Sequence, residues 1–223
     1  MTSPSTQRRA ILVSDFDGTL ARPDFYHLTR EHLVPRDTPD YWIAYRNAEM
    51  THFDALNAFF AAAEGGEAAL RQMTDMMTIP PNLAELLRRL DHAGWDVAIV
   101  SAGCTWYIDL LLQRAGVELP VYANPGRIEN GRLVMQRPAD PNISCLATGI
   151  DKTAVVRSFA QEGRTVAFAG DGFPDFDAAS LVEPERRFAR RDLVTACRKN
   201  NVPFRPFDEW PEVAEALISN PIY

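Results

Sequence analysis

Continuous apolar runs, rather than alternating ones, mark out the strands of this chain. Residues 10–16, 96–101 and 165–170 are short, predominantly apolar segments that stop at polar or glycine-containing clusters, the pattern of strands buried on both faces of a parallel sheet. Elsewhere apolar positions recur at helical spacing. In 82–93, Leu83, Leu86, Leu87 and Leu90 follow Pro80-Pro81, and 106–115 and 153–162 behave similarly, so each predicts an amphipathic helix. A short strand at 187–189, a helix at 193–200 and a last helix at 212–219 complete the series. Strand and helix in turn predict an α/β fold on a doubly wound parallel sheet.

Two segments break this rhythm. Residues 22–79 hold helical stretches at 25–33, 41–48, 53–63 and 67–77 and no convincing strand, which predicts a small helical insert directly after the first strand. Its aromatic cluster, Phe53, Phe59 and Phe60, reads as the core of that insert. Further on, Ile128, Leu133 and Val134 flank Asn130-Gly131, a strong signal for a two-residue hairpin turn. A β-hairpin is therefore expected near 127–136, with an irregular run from 137 to 149. The expected organisation is a sheet domain made of 1–21 and 80–223, a helical unit at 22–79, and a frayed leader over 1–8.

Composition narrows the function. Hydrophobic residues make up 46% and charged residues 24%, ordinary for a folded chain with a sizeable core. Lys plus Arg number 23 against 30 Asp plus Glu, a net charge of −7, which argues against nucleic acid or an anionic membrane as a partner. The apolar start at 10–13 is far too short for a signal peptide or a membrane span. Cys104, Cys145 and Cys197 are odd in number and form no C-x-x-C pair, so neither a disulfide framework nor a structural zinc site is indicated, and the reducing cytoplasm fits. The absence of a long heptad excludes a coiled-coil dimer, and the oligomeric state is otherwise not legible. A small-molecule partner remains.

In open α/β sheets ligands bind at the carboxyl ends of the strands. The first predicted strand delivers Asp15-Phe16-Asp17-Gly18-Thr19 there, the second Ser101-Ala102-Gly103, and the third Gly170-Asp171-Gly172, with Asp175 just beyond. Lys152 opens the predicted helix before the third strand, so it reaches the same rim. Four carboxylates at one rim repel each other unless a cation lies among them, and an all-oxygen donor set suits magnesium. An ionised aspartate attacks phosphorus without a base to activate it, provided the phosphoryl oxygens are shielded. Lys152 and the Ser101 hydroxyl supply such shielding together with the metal.

At these residues the chain resembles the haloacid dehalogenase superfamily of phosphohydrolases, matching four motifs in order: Asp15 to Thr19, Ser101, Lys152, and Gly170-Asp171-Gly172 to Asp175. It looks most like the phosphoserine phosphatase-like branch. Within that branch the Asn130-Gly131 hairpin, the loop bearing Cys145 and the segments around Phe188 and Phe204 are similar to the methionine-salvage 2-hydroxy-3-keto-5-methylthiopentenyl-1-phosphate phosphatase group. The resemblance implies a Rossmann-like core with a helical cap that closes over the site, and hydrolysis of a small soluble phosphomonoester. It implies Asp15 as the nucleophile forming an aspartyl-phosphate and Asp17 as the acid and later the base. It places the phosphate on Ser101, Ala102, Lys152, Gly18 and Thr19. It implies Mg2+ on Asp15, the Asp17 backbone, Asp171 and Asp175. Asp24 stands where phosphoserine phosphatases carry a glutamate that reads the amino group, and Gly18 where they often have serine.

The insert supplies candidate recognition residues: Asp24, Tyr26, Arg30 and Arg46, with solvated helix faces as the plainer account of each. His27, His32 and His52 also lie there; His27 with Glu31 reads equally as a surface pair. Cys104 reads as a small buried side chain. A different class, a non-catalytic phosphoacceptor switch, also combines acids, a hydroxyl, a lysine and magnesium on such a sheet. Such modules are roughly 120 residues long and have no helical lid, which separates the two readings. Phosphoserine phosphatase stands as the alternative specific activity. Hydrolytic dehalogenation is disfavoured by Asp17 and Gly18-Thr19, which suit protonation of a phosphate ester's leaving group.

Overall fold

Side chains on β1 (Ala10–Ser14) alternate between two cores: Ile11 and Val13 join one, Ala10 and Leu12 the other. Both faces of the strand are buried, so its sequence shows no polar alternation. A computed structural model describes residues 9–221; the leader expected at 1–8 lies outside the described residues. β1 is followed by four helices without a named strand between them: α1 (Phe25–His32), α2 (Tyr41–Arg46), α3 (His52–Ala62) and α4 (Gly66–Met76). Where the chain enters and leaves this insert, Arg22 and Thr78 pair antiparallel. The Arg22 N–H donates to the Thr78 carbonyl at 2.8 Å, and the Thr78 N–H donates back at 2.5 Å.

The chain then alternates. It runs through α5 (Leu83–His92), β2 (Trp95–Cys104), α6 (Thr105–Arg114) and β3 (Val121–Asn124) to a hairpin of β4 (Gly126–Glu129) and β5 (Arg132–Met135). A two-stranded patch follows, β6 (Ser144–Cys145) with β7 (Gly149–Ile150), inside the run expected to be irregular. Next come α7 (Lys152–Gln161), β8 (Val166–Gly170), α8 (Phe176–Ser180), β9 (Arg187–Ala189), α9 (Arg191–Lys199), β10 (Arg205–Pro206) and α10 (Trp210–Ile218).

Six strands form one parallel sheet in the order β10-β9-β8-β1-β2-β3. The order runs outward in both directions from β1, as the doubly wound expectation requires. Chain direction therefore reverses its progress at β1, and a crevice opens there beyond the strand ends. Register fixes what meets at that crevice: Ser14 lies opposite Ile99 of β2 and Ala169 of β8. β1 itself ends at Ser14, short of the expected residue 16, so Asp15 to Asp17 leave the sheet and turn over its rim.

The hairpin forms where expected, with Asn130 and Gly131 at φ 49° and 77°, the left-handed pair that a two-residue turn needs. It packs on α3, not on the sheet. Arg132 donates to the carbonyls of Ala61 at 2.8 Å and Ala63 at 3.1 Å, and the Met135 N–H donates to Asn57 Oδ1 at 2.8 Å.

Candidate active site

Asp15 is the first residue past β1, and its N–H still donates to the Ala169 carbonyl of β8 at 2.8 Å. That bond aims its buried side chain into the crevice, where Oδ1 accepts from Lys152 Nζ at 2.6 Å and Oδ2 from Thr19 Oγ1 at 3.1 Å. Lys152 is the first residue of α7, whose N-cap Asp151 accepts from the Ala154 N–H at 2.9 Å. Its ammonium also donates to Asp175 Oδ1 at 2.6 Å, while Asp175 Oδ2 takes the N–H groups of Asp171 at 3.0 Å and Gly172 at 2.9 Å. The turn after β8 thus folds around the Asp175 carboxylate.

Asp15, Asp171 and Asp175 bring one carboxylate oxygen each within 4.8 Å of one another. Three converging hard oxygens suit a magnesium-sized cation. The neighbouring backbone is shaped to this cluster: Gly18 has φ +72°, and a Cβ there would lie 2.2 Å from Asp171 Oδ2. Burial, then the neighbouring Asp175, pushes Asp171 up to about 6. Burial and Asp175 also raise Asp15 well above the usual carboxylate range, against the pull of Lys152. Burial works to lower Lys152, yet Asp15 and Asp175 outweigh it and leave the ammonium more firmly protonated than usual. The carboxylates exceed what one lysine neutralises, which is the charge state a divalent cation corrects.

Asp17 sits in other surroundings. Its Oδ1 accepts from the Phe25 N–H at the start of α1 at 3.1 Å, and its Oδ2 from the Tyr107 hydroxyl at 2.5 Å and Ser101 Oγ at 3.5 Å. Ser101 Oγ in turn accepts from the Gly103 N–H at 3.0 Å. Burial, then Asp24, pushes the Asp17 carboxyl up to about 7. Gly103 is obligatory here, because a Cβ would lie 1.7 Å from the Tyr107 hydroxyl. Tyr107 is held flat against Phe25, ring centroids 4.2 Å apart.

Asp15, Asp17, Asp24, Tyr26, Ser101, Ala102, Lys152, Asp171 and Asp175 line one cavity of about 170 Å³. Several candidates stand elsewhere. The Thr19 hydroxyl is committed to Asp15, and Gly18 backs Asp171, so neither is among the lining residues. The Asp17 carboxylate lies outside the three-carboxylate cluster, which leaves only its backbone for a metal. Arg30 is turned onto the Tyr26 hydroxyl at 3.0 Å and Asp40 at 3.3 Å, and Arg46 is exposed at the C-terminal end of α2. Both arginines belong to helix surfaces and not to the cavity, as do His27 and His32. Asp24 serves twice, capping α1 through the Tyr26 N–H at 2.7 Å while lining the cavity, and burial pushes it up to about 6. Cys104 is a buried core residue, its thiol pushed up to about 12 by burial.

Sequence reasoning missed Tyr107 and Trp42, which also line the cavity, and gave Gly103 no role beyond its place at the strand end. Tyr107 lies on the apolar stripe of α6 and reads as core; only the fold sets it against Asp17. The sole sequence signal was Gly103, a glycine two residues past a strand-end serine.

The fold and the cluster of acids define a hydrolase of the Rossmann-like α/β type. The model of the haloacid dehalogenase-like hydrolases matches residues 12–180, and the chain belongs to that family. It is 24% identical over 206 residues to the 2-hydroxy-3-keto-5-methylthiopentenyl-1-phosphate phosphatase of Lysinibacillus sphaericus, covering 89% of this chain and 90% of that enzyme. The enzyme of the same name from Exiguobacterium sibiricum is 25% identical over 146 residues, 65% of this chain and 66% of the relative. Among solved structures, a HAD family hydrolase from Salmonella enterica serovar Typhi superposes with a TM-score of 0.71 at 18% identity, covering 96% of this chain and 72% of that one. Phosphoserine phosphatase from T. onnurineus gives 0.67 at 15% identity, covering 97% and 98%. These two likenesses establish the shared fold.

Proposed function

We propose that this hydrolase is a magnesium-dependent phosphoric monoester hydrolase that works through an aspartyl-phosphate on Asp15. The observation that carries this reading is the unlike treatment of two aspartates two residues apart. Asp15 faces a buried ammonium at 2.6 Å, which favours its carboxylate form, whereas Asp17 faces a phenol at 2.5 Å and, among the described residues, no cation at hydrogen-bond distance. Neighbouring carboxyl groups given such unlike partners divide into a nucleophile and a proton donor.

Asp15, Asp171, Asp175 and the backbone of Asp17 would hold the magnesium ion. Bound there, it supplies the positive charge that keeps the carboxylates ionised and draws charge from the phosphoryl oxygens. Lys152 orients Asp15, and Ser101 and Ala102 line the side of the cavity that receives the remaining phosphoryl oxygens. The Asp15 carboxylate attacks phosphorus, the ester P–O bond breaks, and Asp17 gives its proton to the departing alkoxide. Asp17, now a carboxylate, takes a proton from the water that attacks the phosphoryl group. Phosphate leaves and Asp15 is regenerated.

In this reading residues 1–21 and 80–223 form the catalytic core and 22–79 a cap, and the substrate is a small soluble ester. The helical roof over the cavity speaks against a bare phosphoacceptor switch. Asp15→Asn should abolish hydrolysis of p-nitrophenyl phosphate, EDTA should suppress it, and Asp17→Asn should lose roughly 10²- to 10⁴-fold in kcat. Retention of activity in Asp15→Asn would sink the mechanism.

A further inference from the structure

The cavity has two unlike halves. Asp15, Asp17, Asp171, Asp175, Ser101 and Lys152 occupy the sheet side; Tyr26, Trp42, His52, Leu56 and Phe60, with Asp24 at the start of α1, make the other. His52, Leu56 and Phe60 stand four residues apart on α3, so a single helix face supplies all three. His52 and Asp24 are the exceptions in this largely apolar roof, and of the two Asp24 is engaged as the cap of α1. The His52 ring lies 5.1 Å from Trp42 and 5.7 Å from Tyr45, centroid to centroid, and its buried Nδ1 has no hydrogen-bond partner among the described residues. A buried polar nitrogen without a partner is costly, and a ligand group that reaches it recovers the loss.

The chemistry of that ligand group follows from charge. Burial, and secondarily Lys152, pushes the imidazole down to about 4, so near neutral pH the ring offers one donor and one acceptor and no charge. Lys152 is the only lysine or arginine lining the cavity among the described residues, and Asp15 and Asp175 already hold its ammonium. A carboxylate on the far end of the substrate would be buried without a cation, which is strongly unfavourable.

Resting on the phosphomonoesterase reading above, we propose that His52 is a specificity-determining residue that hydrogen-bonds an uncharged hydroxyl or carbonyl oxygen on the substrate's carbon skeleton. The site therefore takes phosphate esters with a neutral, partly apolar body and rejects amino-acid phosphates.

A matched pair of three-carbon esters tests this: dihydroxyacetone phosphate, which carries neutral oxygens, and propyl phosphate, which does not. Wild type should prefer the oxygenated ester by about tenfold in kcat/KM, the worth of one neutral hydrogen bond, and should hydrolyse phosphoserine more slowly than either. In His52→Phe the ratio for the pair should fall towards one, and in His52→Asn it should partly recover. An unchanged ratio in His52→Phe, or phosphoserine as the preferred substrate, overturns the proposal. Because the ratio is taken within one protein, a general loss of folded enzyme does not imitate it. Calorimetry of both esters with Asp15→Asn, and with Asp15→Asn carrying His52→Phe, reads the same discrimination without turnover. Discrimination in binding with no wild-type hydrolysis would support His52 while sinking the phosphatase reading; equal binding of both esters overturns the role of His52.

Discussion

Asp15 and Asp17 share a loop yet meet opposite partners, and the difference comes from residues remote in sequence: Lys152 for one and Tyr107 for the other. The acids themselves were legible, since an acidic pair after a buried strand points to the rim of an α/β sheet. Tyr107 was not, because periodicity assigns it to a core stripe and says nothing of a carboxylate 90 positions away. Arg30 and Arg46, which lie off the cavity, show the converse ambiguity, as positive charge in a helix suits both a phosphate site and a solvated face. His52 makes a residue-scale prediction independent of catalysis. Its folded value near 4 lies below the ordinary histidine value, so the folded state holds the neutral ring. The stability this confers is full above about pH 6.5 and is lost as pH falls towards 4, a loss of about 3 kcal/mol over that window. Thermal scans should show His52→Phe declining less steeply than wild type between pH 6.5 and 4. The buried carboxylates are common to both proteins and cancel in the comparison.

Elements were read from the sequence in proportion to how completely they are buried. β1, β2 and β8 lie inside the sheet and announced themselves as apolar runs. β3 lies at its edge with two half-exposed residues, and β10 is two residues long and contains Pro206, so neither reaches the length at which a pattern shows. The hairpin was evident from Asn130-Gly131, but its destination was not, since a turn signal fixes local pairing and not what the pair packs against. It lies on the end of α3, where Arg132 meets the carbonyls of Ala61 and Ala63. A guanidinium there satisfies carbonyls that lack helical partners and complements the negative end of the helix dipole. Arg132→Ala should lower stability by roughly 1 kcal/mol in urea denaturation. An unchanged midpoint would show that the hairpin does not brace α3.

At the scale of the molecule, the net charge of −7 is partly concentrated where the strand order turns back on itself. Acids at successive strand ends foreshadow this concentration, while the apolar roof opposite them depends on how the insert folds back. Crowded acids repel one another in the crevice, and a cation that binds only the folded chain stabilises it by mass action, about 2.7 kcal/mol at a hundredfold excess over Kd. Magnesium should therefore raise the Tm relative to EDTA, and Asp171→Asn should blunt that rise. An equal rise in both proteins would place the ion elsewhere. Among the described residues no helix is long and apolar enough to cross a membrane.

The antiparallel pair at Arg22 and Thr78 has a bearing on how such a chain diversifies. Entry to and exit from the helical insert are neighbours, joined by two backbone hydrogen bonds that require no particular side chain. Residues 23–77 therefore return to the point at which they leave. An insert from a relative would have to reproduce this pair, the face that meets the hairpin, and Phe25, whose N–H donates to Asp17 and whose ring stacks on Tyr107. Asp15, Lys152 and Asp175 hold one another from outside that stretch, so they could stay as they are while the surroundings of Asp17 change with the insert.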